Sequence, residues 1–412
     1  MKTFKAGHLV TRTWKADMGA YGGRKARESF GYQAFVPEAI ADRDFVLRAD
    51  VAAVVSQAES AIQDLNHYPP AFGAFEALAR NLLRAESLAS SRIEGLELSH
   101  RRLAKAAYAS TGAMDVTAES VLGNMRAMEA AVKLGSSTKL LKAKDVVELH
   151  RVLMSATRDA HIAGVVRTKQ NWIGGGATSP RSADFIPPPP ELVDALLGDL
   201  AEFLNREDMS AVVQAAIAHA QFETIHPFAD GNGRVGRCLI HVVFGRRGIA
   251  PRYVPPISLI LATDTRSYVG GLTDYRAGSL DEWTGLFAAA TRTAATQART
   301  LADRVAALQG RWRVQANEPR ASSAADRLIA LLPAYPIVAQ NLTREILSVS
   351  DPAAWGALQR LEAAGVLHQI TVGRRNRAYE AVGLFEVVDR FERELATPAG
   401  QTRPARRVPR PG

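Results

Sequence analysis

Apolar and polar residues alternate along this 412-residue chain mostly with a helical period. In DVAAVVSQAESAIQDLN (50–66) the apolar side chains recur three and four apart, and FGAFEALARNLLRAESLASSRIEGLELSHRRLAKAA (72–107) continues the pattern. The same spacing predicts helices in 146–156, 190–205 and 209–225. One segment breaks the period: RTKQNWIGGGATSPRSADFIPPPP (167–190). Its glycines and four consecutive prolines are incompatible with helix, while NWI and ADFI suit two short strands of a hairpin. RWRVQANEPRASS (311–323) reads as a linker. Beyond it, 321–333, 340–349 and 351–367 predict three short helices, and LHQITVGRRNRAYEAV (367–382) two strands around a basic turn. Three helices and a hairpin predict a winged helix-turn-helix. The expected class is mainly α, divided into an N-terminal region that opens irregularly and then turns helical (1–112), a helical core (113–310), a winged helix (320–395) and a disordered basic tail (396–412).

Composition changes this picture little. Hydrophobic residues make up 47% and charged residues 23%, which are ordinary globular values. A single cysteine, Cys238, excludes an intramolecular disulfide and fits packed core. No apolar run is long enough to span a bilayer, so the expectation is a soluble cytoplasmic protein without membrane contact. The net charge of +9 points to an acidic partner without naming it, and the tail QTRPARRVPRPG carries four of the arginines.

Candidate chemistry is concentrated in HPFADGNGRVGR, His226 to Arg237. Pro227 disfavours the α conformation at His226, so the preceding helix should end there with its imidazole projecting from a turn. Gly231 and Gly233 flank Asn232, and glycines accept the positive φ that turns successive N–H groups toward an anion. A second helix begins at Asn232 or Gly233, and its N-terminal dipole favours phosphate at the same place. Arg234 and Arg237 lie three apart on that helix, within reach of one polyphosphate. Asp230 stands at the mouth, where a carboxylate suits Mg²⁺ bridging phosphate oxygens. His226 is left to take a proton from a nucleophile. These parts describe nucleotidyl or phosphoryl transfer, although neither a Walker loop nor a kinase loop is present.

The stretch resembles the Fic family motif, HxFx(D/E)GNGRxxR, at every defined position. The resemblance implies a Fic-type helical core with a β-hairpin flap, and AMP transfer from ATP to a serine, threonine or tyrosine hydroxyl of a target protein, which includes the protein itself. It makes His226 the general base, Asp230 the ligand of Mg²⁺ (or Mn²⁺), and Asn232 a contact to the α-phosphate. Gly231 and Gly233 become the anion hole, and Arg234 and Arg237 hold the outer phosphates. WIGGGATSPRSADFIPPPP resembles the family's flap, with Ile173, Gly174 and Gly175 offering a strand edge to the target. TDTRSYVGGLTDYRAGSLDEWTGLF resembles the segment whose tyrosine, here Tyr268, lines the adenosine pocket. In the N-terminal region, SSRIEGLELS matches the family's inhibitory pattern (S/T)xxxE(G/N) through Ser90, Glu94 and Gly95. Ser90 and Glu94 are one helical turn apart. The resemblance implies that Glu94 pairs with Arg237 and displaces the γ-phosphate.

Other readings stay open beside this one. His219, Glu223 and His226 have the spacing of a zinc site, but Pro227 interrupts the helix, and a structural His219–Glu223 pair is the expectation. The PPPP run reads as a rigid strap at the end of the flap rather than an SH3-type ligand. In the C-terminal unit Ala353, Ala354, Trp355 and Gly356 stand where base contacts would fall, leaving Gln359 and Arg360 as readers. The wing, Gly373 to Arg377, and the arginine tail fit weak, non-specific phosphate binding; a protein-contact or homodimer module is the alternative. The competing functions are a DNA-binding regulator or antitoxin-like partner, and removal of AMP through Glu94. UTP and GTP remain open as donors.

Overall fold

A computed structural model describes residues 4–15, 28–69, 75–108, 115–176, 179–372 and 376–396. It opens on a hairpin that the apolar pattern did not predict: β1 (Gly7–Trp14) pairs antiparallel with β2 (Phe30–Pro37), Gly7 opposite Pro37 and Trp14 opposite Phe30. The hairpin rests on the 167–190 segment. Phe35 N–H donates to the Ile186 carbonyl at 2.9 Å, and the Trp14 ring meets Trp172 edge-on at 5.5 Å.

Helices α1 (Ala49–His67), α2 (Phe75–Ile93), α3 (His100–Tyr108), α4 (Val116–Gly135) and α5 (Ala143–Met154) follow. After the flap segment come α6 (Val193–Phe203), α7 (Ala211–Ile225), α8 (Asn232–Arg246), α9 (Ile257–Leu261), α10 (Thr265–Arg276) and α11 (Leu280–Gln315). All fifteen residues of α7 are buried. A helix apolar on every side needs partners all round, and α1, α6, α8, α10 and α11 supply them. Some of its covered polar groups are bonded to neighbouring elements. Gln214 Nε2 donates to the carbonyls of Phe203 and Arg206, and Ala216 accepts from Trp283 Nε1 at 2.8 Å. Helix α4 crosses α8 at glycines: a Cβ on Gly135 would lie 2.9 Å from the Val242 oxygen and 3.1 Å from the Gly245 Cα. The crossing locks the motif helix to the N-terminal half.

The C-terminal unit contains α12 (Ala324–Leu331), β3 (Ile337–Val338), α13 (Gln340–Leu347), α14 (Asp351–Ala363), β4 (Leu367–Val372), β5 (Asn376–Ala381) and α15 (Leu384–Ala396). Its three-stranded antiparallel sheet has the order β3-β5-β4. Its elements follow the order helix, strand, helix, helix, strand, strand, with α15 after them. Gly373, Arg374 and Arg375 of the expected wing, and the tail from 397 onward, lie outside the described residues. The stretch expected as a linker from 311 is helical as far as Gln315, because α11 runs 36 residues without a break. Trp312 explains the continuation: it is buried, and its Nε1 donates to the Val382 carbonyl at 3.0 Å, so α11 belongs to both units. Among the described residues no helix is long and apolar enough to cross a membrane.

Candidate active site

Helix α7 stops where Pro227 requires. His226 is its C-cap in the left-handed conformation (φ 48°, ψ 60°), and its N–H still donates to the Phe222 carbonyl. Two side chains of the 167–190 segment hold the turn by the His226 carbonyl: Arg167 Nε donates to it at 2.9 Å and Asn171 Nδ2 at 3.2 Å. Arg167 also donates to the carbonyls of Ile225 and Pro188, and Asn171 to that of Phe228. Burial, then the Arg167 charge, pushes the imidazole pKa down to about 4. His226 is therefore neutral at pH 7, the form a proton acceptor needs.

The loop after it is tied at both ends. Asn232 accepts from the Phe228 N–H through Oδ1 and donates to the Phe228 carbonyl through Nδ2, both at 2.9 Å. Its side chain is thus engaged in shaping the loop, with one amide hydrogen of Nδ2 not used by these two bonds. Gly231, at φ 79°, is the N-cap of α8, and no side chain caps it. The first N–H groups of the helix are left for a ligand. From α5, His150 braces this turn: its Nδ1 accepts from Gly164 N–H at 3.0 Å, leaving Nε2 to donate to the Asp230 carbonyl at 3.1 Å. The His150 ring stacks on Phe228 at 3.8 Å, and burial lowers its pKa to about 4.

The two arginines reach in different directions. Arg234 donates to Ser120 Oγ at 2.7 Å and meets the Asp230 carboxylate at 3.3 Å. Asp230 is 62% exposed. Arg237, 1% exposed, donates from Nε to Ser90 Oγ at 2.8 Å, and from Nη2 to the Ser90 carbonyl at 2.9 Å and Glu94 Oε1 at 2.6 Å. Ser90 on α2 and Glu94 in the turn just past its end therefore face the same way, and both are spent on Arg237. Gly95, at φ 79°, turns the chain immediately after Glu94. Burial opposes the Glu94 charge, but Arg237, with Arg234 and His226 behind it, outweighs burial and holds its pKa below the usual glutamate range. The carboxylate lies directly over Gly233, where any Cβ would overlap Glu94 Oε1.

A cleft of about 780 Å³ joins Glu94, His226, Gly233 and Arg237, while Asp230 and Arg234 do not line it. His226, Gly233, Arg237 and Glu94 form its floor, Tyr268 and the rest of one face of α10 one wall, and Trp172 and Ile173 another. The flap is less regular than expected: Ile173 and Phe185 make an isolated antiparallel bridge, not two full strands. Gly174 and Gly175 form the turn beyond it, at φ 73° and 70°; Ala177 and Thr178 lie outside the described residues. Gln170 and Arg167 donate to the carbonyls of Pro187 and Pro188, which fastens the proline strap as the sequence suggested. Tyr268 is buried, with its hydroxyl 2.8 Å from His219 Nε2 and 3.5 Å from Arg237 Nη1.

Two expectations fail here. His219 does not pair with Glu223; it bonds Tyr268, and Glu223 Oε1 is buried without a partner. Burial pushes the Glu223 pKa up to about 7. Arg360 is not free to read bases, because its Nη2 donates to the carbonyls of Ala316 and Asn317 at the end of α11. Arg167, Asn171 and His150 were not singled out from the sequence. Each acts through backbone carbonyls far along the chain, and nothing local marks such a role.

Comparison with known proteins agrees with this geometry. Residues 140–244 match the Fic/DOC family and residues 52–133 the Fic/DOC family N-terminal region. The chain is 36% identical over 114 residues to protein adenylyltransferase fic-1 of Caenorhabditis briggsae, covering 27% of this chain and 20% of that protein. It is 32% identical over 150 residues to protein adenylyltransferase Fic of Drosophila melanogaster, covering 34% and 28%. The chain thus spans under a third of the length of these relatives. A Fic family protein from Desulfovibrio desulfuricans G20 has a similar fold, with a TM-score of 0.52 at 18% identity over 82% of this chain and 98% of that one. Fic-1 of C. elegans superposes with a TM-score of 0.50 at 21% identity over 61% of this chain and 72% of that one. The chain carries a Fic/DOC domain, preceded by that family's N-terminal region.

Proposed function

We propose that this protein is an adenylyltransferase that moves AMP from ATP to a hydroxyl of a protein, and that Glu94 holds it inactive at rest. The observation that carries this reading is the meeting of His226, the uncapped start of α8 and Arg237 in one cleft, with Glu94 on Arg237. In the active form the triphosphate lies along the N-terminus of α8. Arg234 and Arg237 bind its outer phosphates, the latter after Glu94 has left. The target hydroxyl, laid against the Ile173 edge of the flap, gives its proton to His226 and bonds to the α-phosphorus. The α–β P–O bond breaks and pyrophosphate departs. Among the described residues no cluster of three or more His, Cys, Asp or Glu suits a self-contained metal site. The open Asp230 carboxylate fits the sparser demand of Mg²⁺, which is commonly held by one or two carboxylates together with substrate phosphates. Bound there, Mg²⁺ would neutralise charge on the phosphates.

We read the C-terminal unit as a winged helix. Its described base-facing positions offer little to a nucleotide sequence, and Arg360 is already engaged. The test is labelling with ATP carrying a radioactive α-phosphate, in Mg²⁺ buffer, of the protein itself and of a cell lysate. Glu94→Gly should transfer label and Glu94→Gly with His226→Ala should not. Absence of label from both, with no nucleotide bound, overturns the reading. Removal of AMP is a second reading, favoured by the Glu94 carboxylate, which is 37% exposed and shares the His226 cleft. That activity would be lost in Glu94→Gly, whereas transfer would rise.

A further inference from the structure

The C-terminal unit does not line the cleft, yet it grips the helix that leads into Glu94. The grip centres on one carboxylate. Glu392 of α15 accepts from Arg92 Nη2 through Oε2 at 2.9 Å and meets His100 Nε2 through Oε1 at 2.7 Å. Arg92 lies two residues before Glu94 at the end of α2, and His100 opens α3. One side chain therefore fastens the 93–99 turn on both sides. His100 is 5% and Glu392 10% exposed, so solvent screens this contact little. Burial opposes the Glu392 charge, but His100 and Arg92 together bring its pKa down to about 2.

Further contacts reinforce the same joint. Arg101 bonds Glu380 at 3.1 Å and Glu386 at 2.8 Å, with its guanidinium 5.2 Å over the Phe385 ring. Beneath it Ala104 of α3 packs with Ile337, Ala378 and Phe385 of the C-terminal unit. Higher on α2, Arg84 donates to the carbonyls of Pro333 and Ala334, and Glu76 accepts from the Tyr335 hydroxyl at 2.8 Å. The described length of α2 is held from Glu76 to Arg92 by residues that come more than 240 positions later.

We propose that the C-terminal unit positions the inhibitory carboxylate, with Glu392 as the positioning residue: through Arg92 and His100 it fixes the turn that keeps Glu94 on Arg237. Glu392 touches neither nucleotide nor target; it acts through Glu94 alone, and this inference rests on the adenylyltransferase reading above. A force that draws α15 away from α2 would free Glu94 and open Arg237 to a phosphate, so the unit serves as a handle on the active site.

The test is a mutant cycle on the full chain with ATP and Mg²⁺ saturating. Glu392→Ala should raise AMP transfer about fivefold or more over wild type, the low end of common intersite couplings. In the Glu94→Gly background the same change should do almost nothing, because the carboxylate it positions is gone. Arg92→Ala, at a side chain 39% exposed and less costly to the fold, should repeat the pattern. Wild-type rates in both Glu392→Ala and Arg92→Ala, beside a raised Glu94→Gly, overturn the proposal. An equal rise with and without Glu94 overturns it too, since a merely loosened fold would behave that way. If Glu94→Gly itself is inactive, the adenylyltransferase reading fails instead. Hydrogen exchange across 91–99 then decides the positioning claim: faster exchange in Glu392→Ala supports it, and unchanged exchange sinks it.

Discussion

The Glu94 carboxylate and the Gly233 backbone are in contact so close that no side chain could stand between them. Glu94 thus covers the start of α8 while it neutralises Arg237 at 2.6 Å. One carboxylate occupies both parts of the cleft that a triphosphate would need. On the proposed function, inhibition would be direct exclusion, with no movement of the loop after His226 required.

Glu94→Gly should raise AMP transfer by about tenfold or more, measured as initial rates of labelled-AMP incorporation. Arg237→Ala should be inactive with or without Glu94, because the phosphate contact is lost in both. Glu94→Gly leaves the buried Arg237 guanidinium without its carboxylate, so it should melt earlier than wild type until a polyphosphate is added.

His226→Ala in the Glu94→Gly protein should slow transfer by about 10²- to 10⁴-fold, while Mg²⁺–ATP affinity by calorimetry stays within about twofold of its parent. With the imidazole pKa pushed down to about 4, the base is already unprotonated well below neutrality. The rate of Glu94→Gly should therefore be flat between about pH 6 and 8. An acid limb centred near 6.5 would count against His226 as the base in this environment.

Asp230→Asn should raise the Mg²⁺ concentration for half-maximal transfer by about tenfold or more, read from metal titrations at fixed ATP. Its effect on stability should be small, since the Asp230 carboxylate is largely exposed and Arg234 keeps its bond to Ser120 Oγ.

Glu223 offers a pH-dependent test of the packing behind the cleft. Its folded pKa is raised to about 7, so its neutral form stabilises the fold at low pH, and that contribution is lost as pH rises through 7. Glu223→Gln should therefore gain stability relative to wild type from about pH 5 to pH 8, by about 1–3 kcal/mol in urea melts. An unchanged difference across that range would show that Glu223 is solvated.

Much of the site was legible because its signals are local. Pro227 marks the end of α7, Gly231 the turn, and the spacing from Ser90 to Glu94 turns both the same way. What escaped depends on distant partners. The β1–β2 hairpin was missed because GHLVTRTW mixes polar and apolar residues without a clean alternation, and most of β1 is exposed. His219 looked paired with Glu223 one turn away, but Tyr268, 49 residues later, takes its ring. The linker reading of 311–323 failed at Trp312, whose partner, Val382, lies in another unit. Periodicity describes a helix's own faces and is silent on what will cover them.

His226 closes α7 in a left-handed conformation that helices usually assign to glycine, at a cost of about 1–2 kcal/mol for other residues. Arg167 and Asn171 hold its carbonyl there against that preference. The position thus sets durability against chemistry. His226→Gly would relax the backbone and discard a buried ring whose Nδ1 has no partner. Selection for heat tolerance alone would draw this site toward glycine and produce a sturdier protein with no proton acceptor.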